Sequence, residues 1–122
     1  MPYRDTADVI DRFNDAFVQG DPTTLVDLVA DDCVMESAQP APNGTRFEGR
    51  DDCLHFWQGL IADPDGSFEP EDVVVLGDRA TIRWRYRFGE GDENSVRGVN
   101  LMHVRDGKIV EALGYVKAGL RA

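Results

Sequence analysis

The chain has 122 residues, of which 13 are basic and 23 acidic, giving a formal net charge of −10 at pH 7. This length suits one domain, which we predict to span residues 1–122, and the acidic balance argues against nucleic-acid and membrane partners. The N-terminal sequence MPYRDTADVI lacks the apolar run of a signal peptide, so we expect a cytoplasmic protein.

Two helical patterns follow one another at the N-terminus. In TADVIDRFNDAFVQGD (6–21), apolar residues share one predicted helical face: Val9, Ile10, Phe13, Ala16 and Phe17. Asn14 is predicted to lie on the opposite, polar face. DPTTLVDLVADD (21–32) predicts a second helix, with Asp21 as N-cap and Pro22 at the first helical position.

A short strand and a third helix come next. CVMES (33–37) predicts the strand, and the proline- and glycine-rich AQPAPNGTRFEG (38–49) predicts a loop or irregular hairpin. RDDCLHFWQGLIAD (50–63) predicts the helix. The two cysteines, Cys33 and Cys53, are too few for a disulfide framework, and we expect buried, reduced thiols.

The second half of the chain has the period-two pattern of strands. EDVVVLGDRATIRWRYRFG (71–89) predicts two strands around Gly77-Asp78, and VRGVNLMHV and KIVEALGYV flank the turn at Asp106-Gly107. One side of the second strand is apolar (Ile82, Trp84, Tyr86, Phe88) and the other carries Arg83, Arg85 and Arg87. In the next strand, Gly98, Asn100 and Met102 alternate with Val99, Leu101 and His103, and periodicity leaves open which set faces inward. Three helices followed by antiparallel strands predict an α+β fold with helices on one face of a curved sheet.

Four stretches occur in order along the chain: F-x-x-A-F-V-Q-G-D (13–21), L-V-A-D-D-C-V-M-E (28–36), F-E-G-R-D-D (47–52) and V-R-D-G-K-I-V-E (104–111). Through them, residues 7–116 resemble the nuclear transport factor 2-like superfamily, in its SnoaL-like and ketosteroid-isomerase-like branch. The resemblance implies a cone-shaped α+β barrel, in which a strongly curved, mainly antiparallel sheet wraps three N-terminal helices around an apolar pocket. It also implies a homodimer formed through the outer face of the sheet.

The resemblance assigns family site positions to residues of this chain. The general-base aspartate of ketosteroid isomerases falls at Ser37, their oxyanion tyrosine at Phe13 and their protonated aspartate at Asn100. A supporting tyrosine falls at Trp57, and the last-strand aspartate of SnoaL-type cyclases falls at Gly114. The acids are therefore replaced, while the asparagine amide and the indole N–H can still donate a hydrogen bond to a carbonyl.

Glu36 is the carboxylate that lies closest to the predicted pocket mouth. Strand alternation turns it away from Ser37, toward solvent or a partner subunit, whereas a bulge at Met35–Ser37 turns it inward, where desolvation raises its pKa. The candidate catalytic residues are Asn100, Glu36 and Ser37. The candidate ligand contacts are Phe13, Phe17, Trp57, Trp84, Tyr86, Met102 and Val116.

Two functions remain open at the level of sequence. One is an isomerase, cyclase or dehydratase acting on a small hydrophobic, cyclic carbonyl compound, with Glu36 or a water molecule moving the proton. The other is a non-catalytic ligand-binding or dimeric accessory protein. His55 and His103 are expected outside the pocket, and neither metal-ligand spacing nor a phosphate-binding glycine loop is found. We therefore predict no metal or organic cofactor.

Overall fold

A computed structural model describes residues 3–118. The chain has two α-helices, α1 Thr6–Gln19 and α2 Arg50–Ala62, and short 3-10 helices at Pro22–Asp27 and Asp92–Asn94. Its six strands are β1 Val29–Glu36, β2 Arg46–Glu48, β3 Ser67–Leu76, β4 Arg79–Arg87, β5 Ser95–Arg105 and β6 Lys108–Val116. The predicted first and third helices are confirmed as α1 and α2.

The prediction of a second α-helix at residues 21–32 is wrong. Asp21 caps the segment as expected, but the helix is a 3-10 turn that ends at Asp27. Strand β1 then begins at Val29, which pairs in parallel with Ile109, and the Ile109 N–H donates to the carbonyl of Leu28 at 2.7 Å. The backbone therefore enters the sheet four residues before Cys33, because β6 supplies the hydrogen bonds that a longer helix would have made internally. Two α-helices, not three, pack on the sheet.

The six strands form one mixed, mainly antiparallel sheet in the order β2-β1-β6-β5-β4-β3. All neighbouring strands are antiparallel except β1 and β6. Within residues 3–118 the sheet is not closed, since β2 and β3 form its two edges. The α+β class and the hairpins at Gly77-Asp78 and Asp106-Gly107 are confirmed. The predicted packing of helices on a mainly antiparallel sheet is confirmed, and the sheet is open at β2 and β3 rather than closed into a full barrel.

Burial identifies the inner face of the sheet. On β5, Met102 is 1% exposed whereas Leu101 is 42% exposed, so the face that carries Asn100 points toward the helices. The arginine stripe of β4 lies on the outer face, where Arg87 pairs with Glu69 at 2.8 Å. This resolves the strand phase that the sequence left open.

The two cysteines lie in the core between β1 and the start of α2. Cys33 and Cys53 are both buried and unbridged, as predicted, and the Cys53 thiol donates to the Cys33 carbonyl at 3.6 Å. Burial raises the pKa of both thiols, so both stay protonated. Neither described α-helix combines the length and apolar character that a membrane span requires.

Candidate functional site

A cavity of about 480 Å³ lies between the two helices and the inner face of the sheet. Aromatic rings cover much of its wall and pack edge-on against one another. Phe13 contacts Trp57 with ring centroids 5.1 Å apart, and Phe68 contacts Trp84 at 5.2 Å. A volume of this size and an apolar, aromatic wall suit a small ring-bearing molecule.

Nine of the ten predicted site residues lie on this wall: Phe13, Phe17, Glu36, Ser37, Trp57, Trp84, Tyr86, Asn100 and Val116. Met102 does not, and this prediction is wrong. Its strand phase was right, but it lies two residues beyond Asn100 along β5, where Ala80 and Ala112 flank it in the sheet and the core encloses it. The cavity therefore reaches Ala112, the β6 partner of Met102, but does not include Met102 itself.

Asn100 is held in one orientation by its neighbours. Its Oδ1 accepts a hydrogen bond from the Trp84 indole Nε1 at 3.2 Å. The Cα partner of Asn100 on β6 is Gly114, where a side chain would lie 3.3 Å from the same oxygen. Among residues 3–118, the amide nitrogen Nδ2 has no hydrogen-bond partner, and it is not sealed inside the protein. Asn100 therefore offers the cavity a hydrogen-bond donor.

Trp57 and Tyr86 present two further polar groups to the cavity. The Trp57 indole N–H and the Tyr86 hydroxyl have no partner in the described part of the chain, and neither atom is fully enclosed. The Tyr86 hydroxyl packs over Gly66, where a side chain would overlap it. Desolvation, with smaller contributions from the carboxylates of Asp63 and Asp65, raises the pKa of Tyr86 above its usual 10.0. The phenol therefore remains a donor.

The cavity is bordered by residues 37–45, a segment that we call the lip. The hydroxyl of Ser37 makes its hydrogen bonds within this segment. Its Oγ donates to the carbonyl of Gln39 at 2.8 Å and accepts from the N–H of Thr45 at 3.2 Å. Gly44 completes the turn by donating its N–H to the Pro40 carbonyl at 2.7 Å. The geometry gives Ser37 a structural role at the end of β1.

Glu36 lies at the cavity edge with its carboxylate on Arg46. The Arg46 Nη1 donates to Glu36 at 3.1 Å, and its Nε donates to Glu48 at 2.8 Å. The irregularity in β1 falls between Val29 and Val34, ahead of Glu36, so alternation continues to the end of the strand. The Glu36 side chain is 33% exposed and points away from the buried Met35 side of the strand.

Several further wall residues were not among the predicted site residues, and Asn14 and Phe68 show why. Asn14 was assigned to the polar face of α1, but it is half-buried and lines the cavity. The sequence did contain an indication of this, because Asn14 lies four residues after Ile10 and three before Phe17, and residues at these spacings share a helical face. Phe68 was missed because the predicted strand started at residue 71, whereas β3 starts at Ser67 and pairs Phe68 with Tyr86.

The histidines are outside the cavity. His55 is exposed on α2, and His103 lies on the outer face of the sheet with its Nε2 2.9 Å from an oxygen of Asp78. In the part of the chain that the structure covers, no three His, Cys, Asp or Glu side chains are grouped closely enough to hold a metal ion. The titratable side chains on the wall are Glu36 and Tyr86.

The sequence profile of the SnoaL-like domain matches residues 10–112. The chain belongs to the SnoaL-like family. No curated protein sequence matches this SnoaL-like protein. An NTF2-like protein of unknown function from Mesorhizobium loti is 52% identical in sequence, with a TM-score of 0.88 over 93% of this chain and 91% of that one.

Two further structures show the same fold at lower identity. One, from Sinorhizobium meliloti and provisionally named a polyketide cyclase, is 24% identical with a TM-score of 0.71 over 88% of this chain and 93% of that one. The other, from Kribbella flavida and provisionally named a ketosteroid isomerase, is 20% identical with a TM-score of 0.78 over 96% and 81%. The predicted membership of the NTF2-like, SnoaL-like branch is confirmed.

Proposed function

We propose that this SnoaL-like protein binds a small hydrophobic, ring-bearing carbonyl compound and polarises its carbonyl group, as an isomerase, cyclase or dehydratase. The observation that carries the proposal is the unpaired Nδ2 of Asn100 on an aromatic cavity wall. A fixed neutral donor aimed at a carbonyl oxygen stabilises the negative charge that develops there during enolisation. The names of the two less similar structures, polyketide cyclase and ketosteroid isomerase, agree with such chemistry.

The charges around the cavity favour an uncharged ligand. Among the described residues of the wall, none is lysine, arginine or histidine, and the carboxylate of Glu36 already pairs with Arg46. A carboxylate or phosphate group would lose its hydration without gaining an opposite charge, which is costly. A ketone or ester carbonyl needs only the neutral donors that Asn100 and Trp57 or Tyr86 supply.

Proton transfer is the step that separates catalysis from binding. Glu36 is the carboxylate that could move a proton, either directly or through a water molecule. To act as a base inside the cavity, it has to leave Arg46, which holds it at 3.1 Å. This pairing favours a second candidate function, a non-catalytic carrier or sensor of the same carbonyl compound. Neither candidate requires a metal or organic cofactor.

The proposal predicts that Asn100→Leu removes the polarising donor. We expect α-tetralone, a bicyclic aryl ketone, to bind the native protein with its carbonyl infrared band shifted to lower frequency. In Asn100→Leu the shift should disappear and the affinity should fall about tenfold, the value of one lost hydrogen bond. Infrared spectra of carbonyl-labelled α-tetralone, with titration calorimetry, measure both quantities.

Asn14→Leu is the matched control, because it makes the same amide-to-alkyl change on the wall formed by α1. It should leave the carbonyl band shifted, and thermal unfolding should verify that both variants are folded. Loss of the shift in Asn14→Leu but not in Asn100→Leu would contradict the assignment. Exchange of the ketone's α-protons in heavy water separates the two functions. A catalyst should make this exchange faster than it is in buffer without protein, and the acceleration should be lost in Glu36→Gln.

We also propose a homodimer through the outer sheet face. On this face, Leu101 and Tyr115 are 42% and 54% exposed, and β5–β6 pairing places them beside Leu113 and Val99. Ion pairs such as Arg97 with Glu71, at 3.0 Å, flank the apolar strip. An apolar surface with a polar rim is typical of a protein contact. The cytoplasmic location and the absence of nucleic-acid and membrane partners stay predictions.

A further inference from the structure

The indole of Trp84, on β4, reaches Asn100 on the neighbouring strand β5. Trp84 is paired in register with Gly98, and Asn100 is the diagonal neighbour two residues further along β5. Because Gly98 has no side chain, the six-membered ring of Trp84 lies directly over it, where a Cβ atom would overlap the ring. This packing directs the indole N–H toward Asn100. Diagonal pairs are within reach of aromatic side chains.

The chemistry of the indole decides which way the Asn100 amide points. An indole nitrogen can only donate a hydrogen bond, so the atom 3.2 Å away must be the amide oxygen and not the nitrogen. In the flipped orientation, two donors would face each other and the oxygen would point into the cavity. With the oxygen held by Trp84 on the side of Gly114, which has no side chain to crowd it, the nitrogen is the atom presented to a ligand.

We propose that Trp84 is a positioning residue that sets the hydrogen-bonding polarity of the cavity through Asn100. The inference rests on the proposed function, because it makes the site selective for ligands that accept a hydrogen bond at this point. An oxygen that accepts a hydrogen bond, such as that of a carbonyl group, meets an N–H, whereas an amide or indole N–H of a ligand, which can only donate, meets no acceptor on Asn100. Trp84 therefore contributes to specificity through Asn100 as well as through packing.

The first test needs neither a ligand nor a substitution. Trp84 and Trp57 are 7% and 3% exposed, so burial alone predicts slower exchange of the Trp57 indole proton. The hydrogen bond to Asn100 predicts the reverse order: the Trp84 proton should exchange at least about tenfold more slowly, measured by NMR in heavy water. Exchange of Trp84 that is as fast as that of Trp57 would overturn the inference.

The second test measures the carbonyl band of bound α-tetralone in Trp84→Phe. Without the indole N–H, keeping Nδ2 toward the ligand leaves the amide oxygen unpaired against protein. The amide should therefore turn, the carbonyl band should become mainly unshifted, and the affinity should fall about tenfold. Benzothienylalanine at position 84 keeps the two-ring shape and replaces N–H by sulfur, so it separates the hydrogen bond from packing.

The outcomes distinguish this inference from the proposed function. A band that is shifted in the native protein, lost in Asn100→Leu and unchanged in both position-84 variants would overturn the role of Trp84 alone. An unshifted band in the native protein would overturn the carbonyl-binding proposal, and the positioning role with it. Loss of the shift in the benzothienylalanine variant, with an unchanged melting temperature, supports both.

Discussion

Gly44→Ala is expected to lower the free energy of unfolding by about 3 kcal/mol, because the lip cannot accommodate a side chain at this position. Gly44 has a φ of 71°, a left-handed conformation that disfavours alanine. In addition, a Cβ atom there would overlap the backbone carbonyl oxygen of Ser37. That oxygen belongs to the turn closed by the Ser37 N–H and the Thr45 carbonyl at 2.9 Å, so the conflict cannot be relieved by a side-chain rotation.

The matched control for the lip is Gly20→Ala. Gly20 has nearly the same φ, 68°, but a Cβ atom there would meet no atom of a residue distant in the chain within 4 Å. This control should lose only about 1 kcal/mol, the backbone term alone. Urea unfolding of both variants measures the difference, and equal losses would show that the lip yields to the added methyl group. Since Ser37, Ala38 and Gln39 line the cavity, Gly44→Ala should also weaken α-tetralone binding, whereas Gly20→Ala should not.

Local chemistry made several elements predictable from the sequence. The Asp5 carboxylate accepts a hydrogen bond from the Asp8 N–H at 2.8 Å, and Gly20 ends α1 in a left-handed conformation; aspartate and glycine are residue types that favour these two positions. The turns at Gly77-Asp78 and Asp106-Gly107 connect the hairpins as the sequence indicated. Such features depend on residues close in sequence, so a single sequence carries them.

Features that depend on residues distant in the sequence were harder to predict. Residues 29–32 entered a strand because β6, about 80 residues later, provides a parallel partner at Ile109. Arg46, on β2, forms an ion pair with the Glu36 carboxylate on β1, and nothing within the β1 sequence indicates this. Trp84 and Asn100 were both predicted as site residues, but their hydrogen bond follows from strand register and from the space above Gly98.

Met102→Ala tests where the cavity ends. Met102 is 1% exposed and lies in the core below the wall, so truncation should leave a void and lower the free energy of unfolding by about 3 kcal/mol. The affinity for α-tetralone should change less than about twofold, because no ligand contact is lost.

The contrast is Val116→Ala, at the end of β6. Val116 is partly exposed and lines the cavity. Shortening it should therefore lower the free energy of unfolding by about 1 kcal/mol or less, and it should measurably lower the affinity for α-tetralone. In urea unfolding, Met102→Ala should therefore lose more stability than Val116→Ala. In calorimetric titration, Val116→Ala should lose more affinity than Met102→Ala. A loss of affinity in Met102→Ala as large as that in Val116→Ala would mean that the bound ring reaches the core beneath Asn100. Met102 is not on the cavity wall although its neighbour Ala112 is, so the two variants measure how far along the sheet the bound ring extends.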